Sequence, residues 1–475
     1  MAESPLQLSS TADGSRVGQV MRAIRQRIEQ RMLTPGARIP SVRGMADGMG
    51  VSRSTVVDAY DRLAAEGIIR SRPGSGFYVA APLAPLALSQ IDPVIEREVD
   101  PLWMMRESLA AAPDALKPGC GWLPEDWMPL GAIRKALRML ARSGDDGTLV
   151  NYGTVAGSAP LRTLIARRMA DQGIEAAPDQ ILLTDSGTQA IDLVCRFLIE
   201  PGDTVLVDDP CYFNFHTLLR AHRARIVSVP YTPTGPDIAA FAATLAEHRP
   251  RLYLTNSALH NPTGATLSAT TAHRLLKLAE AHDLVIVEDD IFADFESDPA
   301  PRLAAFDGLD RVIRIGSFSK TCSAAIRSGH IAARGDWIAG LADLHMATGM
   351  SSDPASAAVM LSVLTDGSYR HHVEALRARL SHARDRVLHR LPAMGLVPWI
   401  EPKAGIFLWC RLPDGINAAD VARHAVAEGV ILAPGNVFSL DHSATGYTRI
   451  NVAQMQDDRA FSSIARAIDR AGKSV

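Results

Sequence analysis

The sequence lacks the features of secreted, zinc-binding and membrane-spanning proteins. Its five cysteines are scattered singly along 475 residues, without a CxxC pair or a histidine-rich cluster, so neither a disulfide framework nor a metal site is indicated. No apolar run reaches the roughly 18 residues of a membrane span. Residues 1–14 lack the basic start and apolar core of a signal peptide. We therefore expect a cytoplasmic protein that does not enter a membrane.

Lysine is absent from one stretch of the chain. Between Ser15 and Ala80 there are eleven arginines, no lysine and five acidic residues, so this stretch is strongly basic although the whole chain has a net charge of -3. A basic block on an acidic protein indicates a polyanionic partner for that block alone. A chain of 475 residues is also too long for one ordinary core, so more than one folding unit is expected.

The basic block has the pattern of three helices and a hairpin. Apolar and basic residues recur at helical spacing over 17–32, and two further helices are predicted over 41–50 and 52–66, each beginning at a serine N-cap and ending at a glycine. The short gap between the last two helices is the spacing of a helix-turn-helix. Residues 68–79, with Pro-Gly-Ser-Gly at the centre, predict a two-stranded wing.

Three domain segments are predicted. The first is the basic block, 15–80, and the second is a semi-extended linker over 81–101, because this segment is rich in alanine, leucine and proline. In the third segment, 102–475, buried strand-like runs alternate with helices, which is typical of a mostly parallel sheet covered on both faces. The pattern from about residue 341 onward predicts a smaller α+β lobe.

Residues 40–79 resemble the winged-helix domain of the GntR regulators, including the closing Gly-Ser-Gly-Phe of the wing. The resemblance implies that a double-stranded DNA operator is the partner. The start of the second helix of the helix-turn-helix offers backbone N–H groups, hydroxyls and a guanidinium to phosphates and base edges. The alternative for any one of these residues is a solvated helix cap. The candidate DNA-binding residues are Arg43, Ser52, Arg53, Ser54, Thr55, Gly74, Ser75 and Gly76.

The segment SFSKTCSAAIR, 317–327, resembles the cofactor lysine motif of fold-type I pyridoxal-phosphate enzymes. The resemblance implies that Lys320 is the catalytic Schiff-base lysine and that Arg327 binds the cofactor phosphate. It also implies phosphate contacts from Ser317 and Ser319. The expected cofactor is pyridoxal 5′-phosphate, and the expected body is a fold-type I transferase-like α/β fold. Lys320 ends a predicted strand. The alternative interpretation is an ordinary solvated lysine at a strand end.

Two further motifs agree with this resemblance. LVIVEDDIF ends a predicted buried strand in acidic residues, at the sheet edge where parallel sheets bind ligands, and Asp289 is implied as the partner of the pyridine nitrogen. In HNPTG, Asn261 is implied to contact the phenolic oxygen of the cofactor. The alternatives are a salt-bridge cluster for the acidic residues and an ordinary Asn-Pro turn for Asn261.

Other residues complete the implied cofactor site. Ser186, Gly187 and Thr188 lie between a predicted strand and a helix, where backbone N–H groups form an anion cradle. By resemblance, Tyr212 stacks on the pyridine ring and Tyr152 reaches the phosphate from a partner subunit, which implies a homodimer. For either tyrosine alone, packing in the core is the competing interpretation.

Arg449, in YTRINVA, stands where the family holds the carboxylate of a substrate or effector with a guanidinium. The alternative is an arginine on a surface strand. Together, a GntR winged helix, a proline-containing linker and an aminotransferase-like body resemble the MocR regulators. The implied function is regulation of transcription in response to pyridoxal phosphate, an amine or an amino acid. The effector, the operator and the direction of regulation stay open.

One departure from the family concerns catalysis. MocR proteins often carry a tyrosine two or three residues after the pyridine-binding aspartate, where this chain has Ile291 and Phe292. Since a phenol that would tune the cofactor is missing, weak or absent turnover is expected. Two other functions remain open, namely an active aminotransferase with an appended DNA-binding domain and a cofactor-free dimerisation scaffold.

Overall fold

A computed structural model describes residues 15–29, 33, 37–72, 76–80, 101–112 and 114–473. The chain divides into two compact units, Met1–Ile95 and Glu96–Val475. The predicted linker, 81–101, lies outside the described residues except for its last residue. That residue, Pro101, begins a helix, because proline fits the first position of a helix, where its missing N–H would have no partner.

The described residues of the first unit form three helices, and both predicted serine caps are in place. Ser41 Oγ accepts from the Gly44 N–H, and Ser52 Oγ accepts from the Thr55 N–H, so each serine satisfies an otherwise unpaired donor of the first turn. The predicted end of the first helix, 30–32, lies outside the described residues. The helices are α1 (Arg16–Glu29), α2 (Val42–Met49) and α3 (Arg53–Ala65).

A hairpin closes this unit, as predicted. Strands β1 (Ile69–Arg72) and β2 (Gly76–Val79) pair antiparallel. The ring of Tyr60, on α3, contacts the ring of Phe77 edge to face, and its hydroxyl donates to the Pro40 carbonyl. These contacts attach the hairpin and the segment before α2 to α3.

The second unit is a mixed α/β structure built around an eight-stranded sheet. Its strand order is β3-β10-β9-β8-β7-β4-β5-β6, and β4, β5, β7, β8 and β9 run parallel, which confirms the predicted fold class. The strands are β3 (Ile181–Thr184), β4 (Thr204–Asp209), β5 (Arg225–Thr232), β6 (Gly235–Pro236), β7 (Leu252–Thr255), β8 (Val285–Asp289), β9 (Val312–Ser317) and β10 (Gly329–Ala332).

Helices cover both faces of this sheet. The central strands are buried along nearly their whole length, and separate apolar clusters fill the space above and below them. The helices outside the small lobe are α4 (Pro101–Ala110), α5 (Leu130–Arg142), α6 (Asp146–Val150), α7 (Ala159–Ala170), α8 (Gly187–Leu198), α9 (Phe213–Ala221), α10 (Ile238–His248), α11 (Ala269–Ala281), α12 (Leu303–Asp307), α13 (Gly335–Gly349) and α14 (Pro354–Thr365).

The predicted smaller lobe closes the chain. Its antiparallel sheet has the order β11-β12-β14-β13 and packs through a third apolar cluster. The strands are β11 (Val397–Pro398), β12 (Phe407–Arg411), β13 (Ala433–Pro434) and β14 (Tyr447–Asn451), and the helices are α15 (Gly367–Arg390), α16 (Ala418–Val426) and α17 (Asp458–Lys473). Within the described ranges, no helix is long and apolar enough to cross a membrane.

Candidate functional site

The carboxyl ends of the parallel strands bring polar residues to one edge of the large sheet. Asp289 is the last residue of β8, and Ser317 is the last residue of β9. Asp289 is buried, and its Oδ1 has no hydrogen-bond partner among the described residues. Burial raises the pKa of Asp289 to about 7. Burial disfavours the ionised form of this carboxyl group. A positively charged group of a ligand would stabilise that ionised form by pairing with it.

Ser317 is the last residue of β9 to pair with β10. Lys320, which the sequence placed at the end of this strand, therefore lies three residues beyond it, in the turn that follows β9. Its Nζ donates to the carbonyl of Gly121 at 2.8 Å. Burial and the nearby charge of Arg449 lower the pKa of Lys320 to about 8. This amine therefore loses its proton more readily near neutral pH than an ordinary lysine does, as a nucleophilic lysine requires.

Arg449, on β14, is buried, with 1% of its surface exposed. Its two Nη atoms donate to Asn261 Oδ1 and to the Gly119 carbonyl, both at 2.7 Å, while Nε has no partner. Three phenylalanine rings surround its guanidinium, and no carboxylate of the described chain forms an ion pair with it. Burial lowers the pKa of Arg449 to about 10. An unpaired buried cation is costly, so this environment favours binding of an anion.

A segment that the sequence did not single out, Gly119–Trp122, joins the two cations. Its carbonyls accept hydrogen bonds from Lys320 and Arg449, and also from Asn451, whose Nδ2 donates to Cys120 and Trp122. Only the glycines at 119 and 121 mark this segment in the sequence, and glycine spacing alone does not predict a ligand site.

The predicted anion cradle lies at the start of α8. Ser186 Oγ accepts from the Gln189 N–H, which makes Ser186 the N-cap of a twelve-residue helix. A Cβ at Gly329 would lie 2.6 Å from the Ser186 carbonyl carbon, so only glycine allows β10 to approach the cradle this closely. Gly187 is buried beside Ser317, whereas Thr188 is exposed. A cleft at this position is lined by Ser186, Arg327 and Tyr152.

The remaining predicted contacts lie near the cradle and near Lys320. Ser317 Oγ is 3.2 Å from Ser319 Oγ and 3.1 Å from the Ser328 carbonyl. Tyr212, whose pKa burial raises to about 12, lines a cavity together with Asn261, Lys320 and Arg449. Helix α4 also lines this cavity and was not predicted. Its sequence directly follows the proline-rich stretch that the sequence analysis assigned to the linker.

Ile291 and Phe292 form part of the same cavity wall. Phe292 is buried and contacts Phe407 edge to face, with ring centroids 5.5 Å apart. These two positions are therefore apolar wall residues, and neither carries a hydroxyl.

A second candidate surface lies at the start of α3. Ser52, Arg53 and Ser54 are exposed and Thr55 is partly buried. The hydroxyl of Ser52 is close to those of Ser54 and Thr55, at 2.9 Å and 2.7 Å, so part of this group stabilises the helix start. Arg53 has no such bond in the described structure. Arg43, on α2, is exposed, and its Nε lies 3.9 Å from Asp47 Oδ2.

The wing contributes less information, because Gly74 and Ser75 lie outside the described residues. Gly76 begins β2 with a φ of 101°, a left-handed backbone that favours glycine. The guanidinium of Arg38 lies beside Gly76, and Arg38 pairs with Tyr78 in an isolated bridge. The sequence counted Arg38 only as part of the charge excess, whereas the structure brings it to the wing.

Comparison with known families identifies both units. Residues 121–464 match the family described as aminotransferase class I and II. The chain belongs to this family. Residues 16–79 match the gntR family of bacterial regulatory proteins. The predicted combination of a GntR helix-turn-helix domain and an aminotransferase-like body is therefore confirmed, and the chain is a MocR-type regulator.

Whole-length relatives agree with this assignment. The MocR-type chain is 29% identical to the HTH-type transcriptional regulator YdcR of Escherichia coli, over 96% of this chain and 98% of the relative. It is also 29% identical to the probable rhizopine catabolism regulatory protein MocR of Rhizobium meliloti, over 90% of this chain and 88% of the relative.

Among solved structures, the fold is similar to LysN, the α-aminoadipate aminotransferase of Thermus thermophilus, with a TM-score of 0.72 and 26% identity. The match covers 78% of this chain and 96% of LysN, which was solved with N-(5′-phosphopyridoxyl)-L-leucine. The body therefore belongs to a pyridoxal-phosphate-dependent family.

Proposed function

We propose that this MocR-type regulator binds pyridoxal 5′-phosphate covalently through Lys320. The residues fit the cofactor. Asp289 offers an unpartnered buried carboxylate oxygen to a protonated pyridine nitrogen, and the lowered pKa of Lys320 supplies a reactive amine. When bound, the cofactor supplies an electrophilic carbon that reacts with primary amines and an electron-withdrawing ring.

The chain's own residues divide the work of holding the cofactor. Ser186, Gly187, Thr188, Ser317, Ser319 and Arg327 would bind the phosphate, with the N–H groups at the start of α8 adding the field of the helix dipole. Asn261 accepts from Arg449 through Oδ1, so its Nδ2 is the end that can donate to a phenolic oxygen. Tyr212 would contact the pyridine ring.

We further propose a cytoplasmic homodimer in which Tyr152 completes the phosphate site of the other subunit. Tyr152 has 79% of its surface exposed although it borders the cradle cleft. Large exposed apolar side chains lie nearby. Leu149 and Val150 precede Tyr152 in the sequence. Met350 precedes Ser351, whose Oγ accepts a hydrogen bond from the Gly153 N–H. An exposed apolar group of this kind is typical of an interface. Sedimentation of the loaded protein at micromolar concentration should give a dimer, and a monomer that retains cofactor would contradict the proposal.

The proposed regulatory function joins the two sites. Arg53, with Arg43, Ser52, Ser54, Thr55 and the wing residues Gly74, Ser75 and Gly76, would bind a DNA operator, and a small amine or amino-acid effector would bind near Arg449. The observation that carries this proposal is the unpaired buried guanidinium of Arg449 next to Lys320, in a chain that also has a GntR domain. Operator binding should change when an effector is added to cofactor-loaded protein, and it should not change in Arg449→Gln.

The second candidate function is an active aminotransferase with an appended DNA-binding domain. The combination of Lys320, Asp289 and Arg449 favours it, because regulation alone does not require all three. Against it, Ile291 and Phe292 give no hydroxyl, and loss of a hydrogen bond to a charged group costs roughly 1.5 to 3 kcal/mol. That loss corresponds to roughly a ten- to hundredfold lower rate if it acts wholly in the transition state. We therefore expect slow or absent turnover across a panel of amino acids and amines. Steady turnover of several per second would favour the enzyme.

A further inference from the structure

Thr321, the residue directly after Lys320, is held through its side chain and through its backbone. It is buried, and its hydroxyl lies 3.0 Å from Asp294 Oδ2 and 3.0 Å from the hydroxyl of Tyr369. Its carbonyl accepts a hydrogen bond from His372 Nε2 at 2.8 Å. Three side chains from outside the turn therefore fix the turn that carries Lys320.

Asp294 is the centre of these contacts. Its Oδ2 also lies 3.0 Å from the hydroxyl of Tyr369, and its Oδ1 accepts from Arg168 Nη2 at 2.6 Å. Its carbonyl accepts from Arg377 Nε at 2.8 Å. Burial and the nearby carboxylate of Asp294 raise the pKa of Tyr369 well above its ordinary value, so the phenol keeps its proton and can donate it. Hydrogen bonds to an ionised acceptor are stronger than those between neutral groups.

The contacts join the two loops on which the proposed cofactor site depends. Strands β8 and β9 pair directly as far as Asp289, whereas Lys320 lies beyond the end of β9. Asp294 belongs to the loop after β8, Thr321 belongs to the turn after β9, and Tyr369 lies on α15, the first helix of the small lobe. The hydrogen bonds of Asp294 therefore continue the junction between the two loops past the ends of the strands.

We propose that Asp294 is a positioning residue for the lysine that takes the cofactor. By holding the hydroxyls of Thr321 and Tyr369, it fixes the Lys320 turn against the loop that follows Asp289. Neither Asp294 nor Tyr369 is among the described residues that line the cavity beside Lys320, so both act through Thr321. This inference rests on the proposed function, which gives the placement of Lys320 its purpose. The competing interpretation is that the contacts only stabilise the body.

The amine of Lys320 reports its own placement. Burial and Arg449 lower the pKa of Lys320 to about 8, while Asp289 and Cys120 act in the opposite direction. Burial of the amine depends on close packing of the turn. If the turn were released from Asp294, water would reach the amine, and the pKa of Lys320 would rise toward its ordinary value of 10.5.

The first test follows the reaction of Lys320 with acetic anhydride as a function of pH, in the full-length, cofactor-free protein. Peptide mass spectrometry measures each lysine separately, and the exposed Lys403 is the internal reference. Thr321→Val removes the hydroxyl and keeps the shape of the side chain. We expect the pH midpoint of the Lys320 reaction to rise by about one unit in this variant.

Two matched variants separate the hydroxyl from other effects. Thr321→Ser keeps a hydroxyl and should restore the midpoint of the parent protein. Thr244→Val removes a partly buried hydroxyl that donates to the Ala240 carbonyl on α10, so it should leave the midpoint unchanged. Asp294→Asn removes the charged acceptor and should raise the midpoint as well, which covers the case in which Thr321→Val does not fold. An unchanged midpoint in either folded variant of the Asp294 contacts would overturn the inference.

The second test is spectroscopic titration of the same full-length proteins with pyridoxal 5′-phosphate. We expect the dissociation constant to rise at least about tenfold in Thr321→Val and Asp294→Asn, because a hydrogen bond to a charged group is lost. Thr321→Ser and Thr244→Val should bind like the parent. Equal weakening in Thr244→Val would indicate a general effect of lost stability and would contradict a positioning role.

The reaction with acetic anhydride needs no cofactor, so two kinds of failure can be distinguished. If the parent protein binds cofactor at Lys320 and Thr321→Val keeps the midpoint and affinity of the parent, the positioning role is wrong while the proposed function stands. If no cofactor attaches to Lys320 of the parent protein, the proposed function itself is wrong, and the positioning role for the cofactor is wrong with it.

Discussion

The two units of this protein present arginine in opposite environments. Arg53, at the start of α3, is exposed to solvent, whereas Arg449 is buried among phenylalanine rings with neutral hydrogen-bond acceptors. An exposed cation acts on a polyanion through a field that salt screens. A buried cation acts on one desolvated partner, where screening is weak and the cost of leaving it unpaired is high. The same side chain is therefore suited to an extended polymer in one unit and to a single small anion in the other.

The largest expected effect belongs to Lys320. Lys320→Ala should lose covalent attachment of pyridoxal phosphate completely, because no other described lysine combines this position with the neighbouring Asp289 and Arg449. Borohydride reduction followed by mass spectrometry of peptides checks the attachment. Lys403→Ala, at an exposed lysine, is the control and should keep the label. Label recovered on another lysine of the parent protein would contradict the assignment.

Arg449→Gln should produce the next largest effect. Removing one partner of a buried charge pair costs about 2 to 5 kcal/mol, which corresponds to roughly thirty- to several-thousandfold weaker effector binding. Parent affinity for the effector should change little between 50 and 200 mM salt, since the pair is buried. Calorimetry at both salt concentrations measures this. The control is Arg53→Gln, which should leave the affinity for the effector unchanged. If the effector affinity of the parent protein fell steeply with salt, the buried charge pair would be contradicted.

Arg53→Ala tests the exposed side of the comparison. We expect operator affinity to fall by about 1 to 3 kcal/mol if Arg53 contacts a base, or the salt slope to fall by about 1 if it contacts a phosphate. Fluorescence anisotropy over a salt series distinguishes these two results. Arg334→Ala, at a partly exposed arginine of the body, is the control. Parent-like affinity and slope in Arg53→Ala, or operator binding by a fragment lacking residues 1–80, would count against this surface.

The pH dependence of stability tests whether the body also buries an acid. Asp289 has a pKa of about 7 in the folded protein, above the ordinary 3.8, so the folded protein holds a proton that the unfolded chain releases. Stability of the cofactor-free protein should therefore fall as pH rises from about 4 to about 7.

Asp289→Asn has no carboxyl group to ionise, so its stability should not fall in this way as pH rises. It should be more stable than the parent at pH 8 by roughly 1 to 3 kcal/mol, with no gain at pH 4. Urea unfolding at the two pH values measures the difference, and the exposed Asp298→Asn is the control. Added cofactor should remove the advantage, because in the proposed site it would pair with Asp289. An equal change at both pH values would mean that titration of Asp289 is not its cause.

The sequence determined the local structure of this protein. Ser41 and Ser52 cap their helices because a short side chain with an oxygen satisfies the N–H groups of its own first turn, and the strands of the parallel sheet follow from apolar runs that are buried on both faces. These patterns involve neighbours in the chain, so they predicted the winged helix, the α/β body and the small lobe. Resemblance then supplied the order of the cofactor motifs.

Only the tertiary structure decided which distant residues form the cavity beside Lys320. Arg449 donates to Asn261 and to Gly119, and Lys320 donates to Gly121, across separations of about 190 to 330 residues. The contribution of α4 to the cavity wall arises from the same packing, and so does the absence, among the described residues, of a carboxylate paired with Arg449. Burial and charge pairing depend on every element that surrounds a side chain, and a local pattern does not contain that information. For this reason the sequence could propose an arginine for a carboxylate but left open both its burial and the side chains beside it.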